Sequence, residues 1–339
     1  MGIRFVSSKR TINYFVWLRA LGAAAIVLLH AFVTLHLAGQ GQILGPRLRV
    51  EETISIVLTR WAVPVFFMMS GALMLDPERE MGWRKTLSHV WRLGFVLLTF
   101  GYAFCLIEIY LSAGVLNGRT ALTALINLLH EKSWDHMWFV YQLLGFYLMT
   151  PFIRPWIAQA SREEYERVSL VTCLLFFGAR FASAFFPFIF YYGVYLPQCF
   201  AYYLIGLYVH RYLTFDRRWA VAGVVSVVAT VVGAVFLHWD WAAEPVRGLI
   251  APYSIAVMLA AKRYLEKPVE SRSIVAVLAD YSFGIYLIHP AFQHALVRLF
   301  DMVALPAVVA DLAMALVPLL LSVVFIAVIR MIPGFKGKV

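Results

Sequence analysis

Apolar residues in this chain cluster in long runs that short polar segments separate. A membrane-spanning helix needs about 20 consecutive, mainly apolar residues, and ten runs come close to or exceed this length. Apolar length and turn residues at the boundaries therefore predict ten membrane-spanning helices. The predicted spans cover residues 13–37, 53–75, 90–113, 135–153, 168–187, 195–213, 219–238, 246–262, 273–299 and 308–331.

Composition favours an all-α polytopic membrane protein with a single domain over residues 1–339. Hydrophobic residues make up 62% of the chain and charged residues only 14%. None of the loops is long enough to build a core of its own. Cys105, Cys173 and Cys199 lie far apart within apolar runs, so we expect neither a disulfide nor a metal site. The first run lacks a small-residue cleavage site and is expected to be retained as a span.

The basic residues predict the orientation of the bundle. Of the 29 Lys and Arg residues, 20 fall in the N-terminal segment, in alternate loops and after the last run. By the positive-inside rule this side is cytoplasmic, and an even number of spans places both termini there. The net charge of +10 then reflects orientation and contact with anionic lipid, so no nucleic-acid partner is expected.

Two ionisable residues share one face of the first span. His30 lies eleven positions after Arg19, which corresponds to about three helical turns and 16 Å. Ionisable side chains within a membrane are costly and tend to face a bundle interior or a wet cavity. This pair is therefore the first candidate for a functional site, although an arginine near a span's end can also serve as an anchor.

Depth along the predicted spans separates the polar residues into two layers. A basic layer near the cytoplasmic side contains Arg19, Lys85, His89 and Arg92. A second layer, farther out, contains His30, Glu108, His136 and His289. This division suits a long ligand that carries anionic phosphates at one end and a reactive group at the other.

Four segments, taken in order, resemble acyltransferase family 3. They are Arg19 with ten residues before His30, the segment VPVFFMMSG at 63–71, the segment HMWFVY at 136–141 with Pro151, and the segment YSFGIYLIH at 281–289. Each is weak evidence alone, whereas their order over residues 12–330 is fairly specific. Within the family, the chain is most similar to the group that O-acetylates enterobacterial common antigen.

The resemblance implies a bacterial inner-membrane enzyme with an acyl-CoA donor. Acetyl-CoA is expected as a co-substrate and not as a permanently bound cofactor, with a glycan or polyprenyl-linked sugar hydroxyl as acceptor. It also implies that Arg19 and His30 are essential. The basic stretch at 84–92, RKTLSHVWR, departs from the paired basic residues typical of the family.

The chemistry of the candidate residues suggests their roles. Arg19, Lys85 and Arg92 are expected to hold the phosphates of acetyl-CoA, because arginine is a permanently charged, forked donor. His30 is expected near the thioester as general base or as acyl carrier. Glu108 is expected to orient the imidazole of His30, as the acid of a triad does.

On the acceptor side the candidates are His136, Trp138 and His289. Histidines within spans also hydrogen-bond between helices, so a structural role for His136 and His289 stays open. Ser70 and Gly71 are interpreted as a packing contact, because small residues let helices approach closely.

Two other classes of function stay open at this point. A transporter of a polar or anionic solute would use the same buried Arg and His residues to bind substrate or relay protons. A catalytically silent scaffold would tolerate loss of His30. An acyltransferase is favoured, because the four segments occur in order.

Overall fold

Helices make up the regular structure of the computed structural model, which describes residues 12–38, 57, 59–178, 181–182, 185, 198–237, 244–300 and 307–339. Within these residues there is no strand, so the prediction of an all-α protein is confirmed. The helices are α1 (Asn13–Ala38), α2 (Ala62–Met74), α3 (Trp83–Ala113), α4 (Gly118–Leu129), α5 (Trp138–Gln159), α6 (Arg162–Cys173), α7 (Gln198–Tyr212), α8 (Arg217–Phe236), α9 (Glu244–Tyr264), α10 (Ile274–Phe300) and α11 (Ala307–Ile329).

Apolar side chains cover much of the outer surface of the bundle. On α8, Val221, Val224 and Val228 are exposed, and α11 exposes Leu320 and Val324 in the same way. Such extended apolar faces are unfavourable in water and suit helices that face lipid. Five of the described helices, α1, α3, α8, α10 and α11, contain stretches long and apolar enough to cross a membrane. The chain is therefore a helical membrane bundle, while the count of ten spans stays a prediction.

Most predicted spans coincide with a helix, and α4 is the main addition. Asn117 caps its first turn, since its side chain accepts hydrogen bonds from the backbone N–H groups of Arg119 and Thr120 at 2.9 and 3.0 Å. Such a cap stabilises a helix start by about 1 kcal/mol. At 12 residues, α4 is too short for a criterion based on span length. The predicted spans 53–75 and 168–187 lie partly outside the described residues.

The third span is irregular at its centre. A π-helical turn at Leu97–Gly101 divides α3 into the parts Trp83–Val96 and Tyr102–Ala113. Such turns shift the direction of the side chains that follow and frequently lie at functional sites. Here the turn separates two parts of the helix whose residues line different cavities.

Two helix pairs form the centre of the bundle. Helix α1 packs along α10, and α2 packs along α7. In the second pair the backbones touch, because Gly71 of α2 lies against Tyr203 and Gly206 of α7 lies against Met68. The predicted packing role of Gly71 is thus confirmed.

Candidate active site

Two cavities lie one after the other along α1. One has a volume of about 330 Å³ and is called the arginine cavity, because its lining includes Arg19, Arg92 and Arg330. The other has a volume of about 960 Å³ and is called the histidine cavity, because its lining includes His30 and His136. Ile26 lines the first and His30 the second, so one helical turn, about 6 Å, separates the cavities along α1.

The arginine cavity gathers cationic groups from three helices. Arg19 comes from α1, Arg92 from α3 and Arg330 from the end of α11. The guanidinium of Arg330 forms an ion pair with Asp280 and lies 4.2 Å from the ring centroid of Tyr281. One carboxylate thus faces three guanidinium groups, and this excess of positive charge suits an anionic ligand.

Residues 331–339, called the tail segment, enter the arginine cavity. Arg92 Nε donates to the carbonyl oxygen of Lys338 at 2.9 Å, and Arg330 Nε donates to a main-chain oxygen of Val339 at 2.8 Å. Phe335 packs against Phe95 of α3 with a centroid distance of 5.2 Å, and Val339 is buried. Two of the three arginines therefore donate hydrogen bonds to the chain's own backbone.

Three histidines meet at the inner wall of the histidine cavity. His30 Nδ1 lies 2.8 Å from His289 Nε2, and the two rings lie nearly parallel, at 16°, with centroids 4.9 Å apart. The ring of His136 stands nearly perpendicular to both, at 6.3 Å from His30 and 6.0 Å from His289. His289 and His136 are buried, whereas His30 is half-buried and lines the cavity. His30 is thus the member of the cluster best placed to react.

The turn of α10 that holds the cluster ends at a proline. Pro290 follows His289 directly and has no N–H to give to the helix. Two carbonyl groups in the preceding turn accept side-chain hydrogen bonds, that of Ile285 from His289 Nδ1 at 2.9 Å and that of Leu287 from His136 Nε2 at 3.1 Å. These two carbonyl groups therefore fix one ring nitrogen each of His289 and His136.

A thin wall separates the two cavities. Phe139 and Tyr286 line the arginine cavity, and the hydroxyl of Tyr286 donates a hydrogen bond to the backbone carbonyl of His136. Because His136 itself lines the histidine cavity, the contact between Tyr286 and His136 connects the linings of the two spaces.

A comparison with protein families decides the class of this chain. The family model Acyl_transf_3, described as an acyltransferase domain, matches residues 12–330. The chain belongs to acyltransferase family 3. Neither the comparison with curated proteins nor the comparison with solved structures gave a match.

The structure brings several predicted residues of this family 3 acyltransferase together and leaves others apart. Arg19 and Arg92 share the arginine cavity with His89. Lys85 is exposed near the start of α3, where its ammonium group donates to the carbonyl oxygen of Glu80 at 2.7 Å. Lys85 is not among the residues that line the arginine cavity, whose third cation is Arg330.

Glu108 lines the histidine cavity of the acyltransferase, but its carboxylate accepts a hydrogen bond from an indole. Trp134 Nε1 donates to Glu108 Oε2 at 3.2 Å, while the recorded partner of His30 is His289. His289 therefore lies next to His30, in the position that was expected for Glu108.

The tryptophan that lines the histidine cavity is Trp134 and not the predicted Trp138. The ring of Trp134 stacks on that of Phe104, with centroids 4.4 Å apart and an angle of 10° between the planes. Trp138 is exposed on α5 and packs near Phe67 at 6.2 Å. The nearby sequence contained both tryptophans, and only the fold distinguishes them.

No metal site is recorded in the described part of this acyltransferase. Among those residues, no group of three or more His, Cys, Asp and Glu side chains has the geometry to hold a metal ion. His136 and His289 each direct one ring nitrogen at a backbone carbonyl, which commits that nitrogen to a proton.

Proposed function

We propose that this protein transfers an acetyl group from cytoplasmic acetyl-CoA to a hydroxyl of a cell-envelope glycan or polyprenyl-linked sugar. The enzyme would act in the bacterial inner membrane. The observation that carries the proposal is the meeting of a cationic cavity and a larger cavity with aromatic and hydrogen-bonding side chains within one turn of α1, next to His30. The three arginines of the first cavity suit the phosphates of an acyl-CoA, and the mixed lining of the second suits a sugar.

The arginine cavity is the proposed donor site. Acetyl-CoA carries its phosphates at one end and its thioester at the end of a long, flexible arm. Arg19 and Arg92 would hold phosphate oxygens, because a guanidinium donates two parallel hydrogen bonds to such groups. With the phosphates held there, the acyl end would approach the wall formed by Phe139 and Tyr286.

The histidine cavity is the proposed acceptor site. Its lining combines the indole of Trp134 with hydrogen-bonding groups, among them Glu108, Ser133 and Arg298. Aromatic rings present a flat apolar face to a sugar, while the charged groups bind its hydroxyls. The resemblance to the group that acetylates enterobacterial common antigen also supports a glycan as acceptor.

His30 is the proposed catalytic residue. In direct transfer, its imidazole removes the proton of the sugar hydroxyl while that oxygen attacks the thioester carbonyl. The C–S bond then breaks, and the CoA thiolate takes the proton back from His30. In the covalent alternative, His30 attacks the thioester first, and the acetyl-imidazole passes its acetyl group to the hydroxyl. Both routes give an acetyl ester and free CoA.

Inverted membrane vesicles that carry the protein are expected to move label from acetyl-labelled CoA to glycolipid. Omitting the acceptor separates the two routes, since only the covalent route then labels the protein. Empty vesicles from the same host serve as the control. If the vesicles bind no acetyl-CoA and move no label, the donor assignment is wrong, and transport of an anionic solute becomes the function to test.

Ending the chain after Phe335 is expected to strengthen donor binding. Lys338 and Val339 use the Nε donors of Arg92 and Arg330, so phosphates compete with the tail segment for these groups. We expect the KM for acetyl-CoA to fall by about tenfold, equivalent to about 1.4 kcal/mol, with kcat unchanged. Steady-state kinetics in vesicles measures both.

The matched control for this truncation is the double variant Lys336→Ala, Lys338→Ala. It removes the two positive charges that the truncation also removes, but keeps the backbone carbonyls in the cavity. A higher KM in the truncated protein, beyond that of the control, would mean that the tail segment helps to bind the donor.

A further inference from the structure

We propose that His289 is a positioning residue that holds His30 in the reactive tautomer, with the proton on Nδ1 and a free lone pair on Nε2. The catalytic role of His289 in this inference rests on the proposed function. The arrangement of protons itself follows from hydrogen-bond geometry alone. It gives a role in the reaction to a residue that touches neither donor nor acceptor.

The proton positions follow from one backbone carbonyl. His289 Nδ1 lies 2.9 Å from the carbonyl oxygen of Ile285, and a carbonyl oxygen only accepts hydrogen bonds. His289 Nδ1 therefore carries a proton. A neutral imidazole has one N–H, so His289 Nε2 has a lone pair and accepts. Because His30 Nδ1 lies 2.8 Å from that nitrogen, it must be the donor.

The opposite assignment requires a buried charge. If His30 Nδ1 accepted the hydrogen bond, His289 would carry protons on both nitrogens and be an imidazolium. His289 is fully buried, and the titratable groups that act on it are His30 and His136, neither of which is acidic. Burying a charge without an opposite charge is very unfavourable, so the neutral arrangement is the stable one.

His136 holds the pair in place. Its Nε2 donates to the carbonyl oxygen of Leu287, two residues along α10 from the carbonyl that fixes His289. Its ring stands at 74° to that of His30 and at 66° to that of His289. The hydrogen-bonded pair is thus packed against from the side, and Nε2 is the ring nitrogen of His30 that stays free to react at the cavity it lines.

This arrangement matters at the moment of proton transfer. When His30 Nε2 takes the proton of the sugar hydroxyl, positive charge develops on the ring. His289 Nε2 then accepts a stronger hydrogen bond from His30 Nδ1 and stabilises that charge. In a serine-protease triad an aspartate fills this place, and loss of the correct tautomer there lowers kcat by about 10⁴-fold. A neutral acceptor stabilises the charge less, so we expect a smaller effect here.

Three substitutions test the role of His289 in catalysis. His289→Leu removes the acceptor and is expected to lower kcat by about 10²-fold, with the KM for acetyl-CoA unchanged. His289→Gln places an amide oxygen near the position of Nε2 and is expected to restore at least a tenth of the wild-type kcat. His289→Asn is too short to reach His30 and is expected to behave like His289→Leu. Equal losses in the Leu and Gln variants would overturn the role of His289.

A spectroscopic measurement tests the tautomer without any activity. The ¹⁵N chemical shifts of protein labelled with ¹⁵N-histidine separate protonated from unprotonated ring nitrogens, and a His30→Asn spectrum assigns the signals of His30. We expect a protonated Nδ1 and an unprotonated Nε2 on His30, and a mixture of tautomers in His289→Leu. The opposite tautomer in the wild type would overturn the proposal. Absence of acetyl transfer with the expected spectrum would instead contradict the proposed function.

Discussion

Replacing His30 with asparagine is expected to abolish acetyl transfer while the protein stays folded. The asparagine amide lies close to the position of ring Nδ1, so it can still donate to His289 Nε2, which now lies 2.8 Å from His30. The nitrogen that would act as base or nucleophile is lost. As a general base His30 would contribute about 10²–10⁴-fold, and as an acyl carrier it would be indispensable. Transfer of label from acetyl-labelled CoA in vesicles measures the effect at equal protein content.

A histidine outside both cavities provides the matched control for His30→Asn. His130 is exposed at the end of α4, where its Nδ1 lies 2.8 Å from the carbonyl oxygen of Ile126. His130→Asn makes the same change in chemistry and is expected to leave transfer unchanged. If His30→Asn kept more than about a tenth of the wild-type rate, His30 would be neither base nor carrier.

The relation between Arg19 and His30 could be predicted because it is local. Both residues lie on the uninterrupted helix α1, so spacing and helical rise determine their separation. The structure shows that this spacing places the two residues in different cavities, since Arg19 lines the arginine cavity and His30 the histidine cavity. Long apolar runs likewise predict helices well, because length alone distinguishes them.

The partner of His30 could not be predicted, because depth in a membrane does not specify a neighbour. Glu108 and His289 were assigned to the same layer from their positions along their spans. Which of them meets His30 depends on which helices pack together, and α1 packs along α10. The 259 positions between His30 and His289 leave no local signal of that contact.

The cationic lining of the arginine cavity could also be predicted only in part. Lys85, His89 and Arg92 recur at helical spacing near the start of α3, yet only His89 and Arg92 line the arginine cavity. Arg330 was interpreted only as part of the basic cytoplasmic side. Arg330 lies in the cavity because α11 ends beside α10, where the guanidinium of Arg330 forms an ion pair with Asp280. No periodic pattern marks the tail segment, so its place in the cavity could not be foreseen.

Replacing Gly71 with alanine is expected to destabilise the bundle strongly, because α2 and α7 touch there through their backbones. A Cβ atom at Gly71 would lie 1.8 Å from the carbonyl oxygen of Tyr203, and one at Gly206 would lie 2.1 Å from that of Met68. Neither contact can be relieved by a side-chain rotation, so the helices must separate. Overpacking of a core typically costs about 1–3 kcal/mol, and a backbone clash falls at the upper end. Thermal unfolding of the protein in detergent measures the loss.

Gly145 of α5 offers the matched control for Gly71→Ala, because a Cβ atom there meets nothing within 4 Å. Gly145→Ala is expected to leave Tm unchanged or to raise it slightly, since alanine favours a helix by up to about 1 kcal/mol over glycine. An equal Tm for Gly71→Ala and Gly145→Ala would mean that α2 and α7 do not approach as closely as described.

The displacement of α7 in Gly71→Ala should also alter the arginine cavity. Tyr203, whose carbonyl meets Gly71, joins α7 to α5 through a hydrogen bond of 2.7 Å between its hydroxyl and that of Thr150. Helix α5 in turn supplies Phe139, Leu143 and Tyr147 to the arginine cavity. A displaced α7 therefore shifts the wall of the arginine cavity, which is the proposed donor site. We expect the Gly71→Ala protein that still folds to show a higher KM for acetyl-CoA, whereas Gly145→Ala should not.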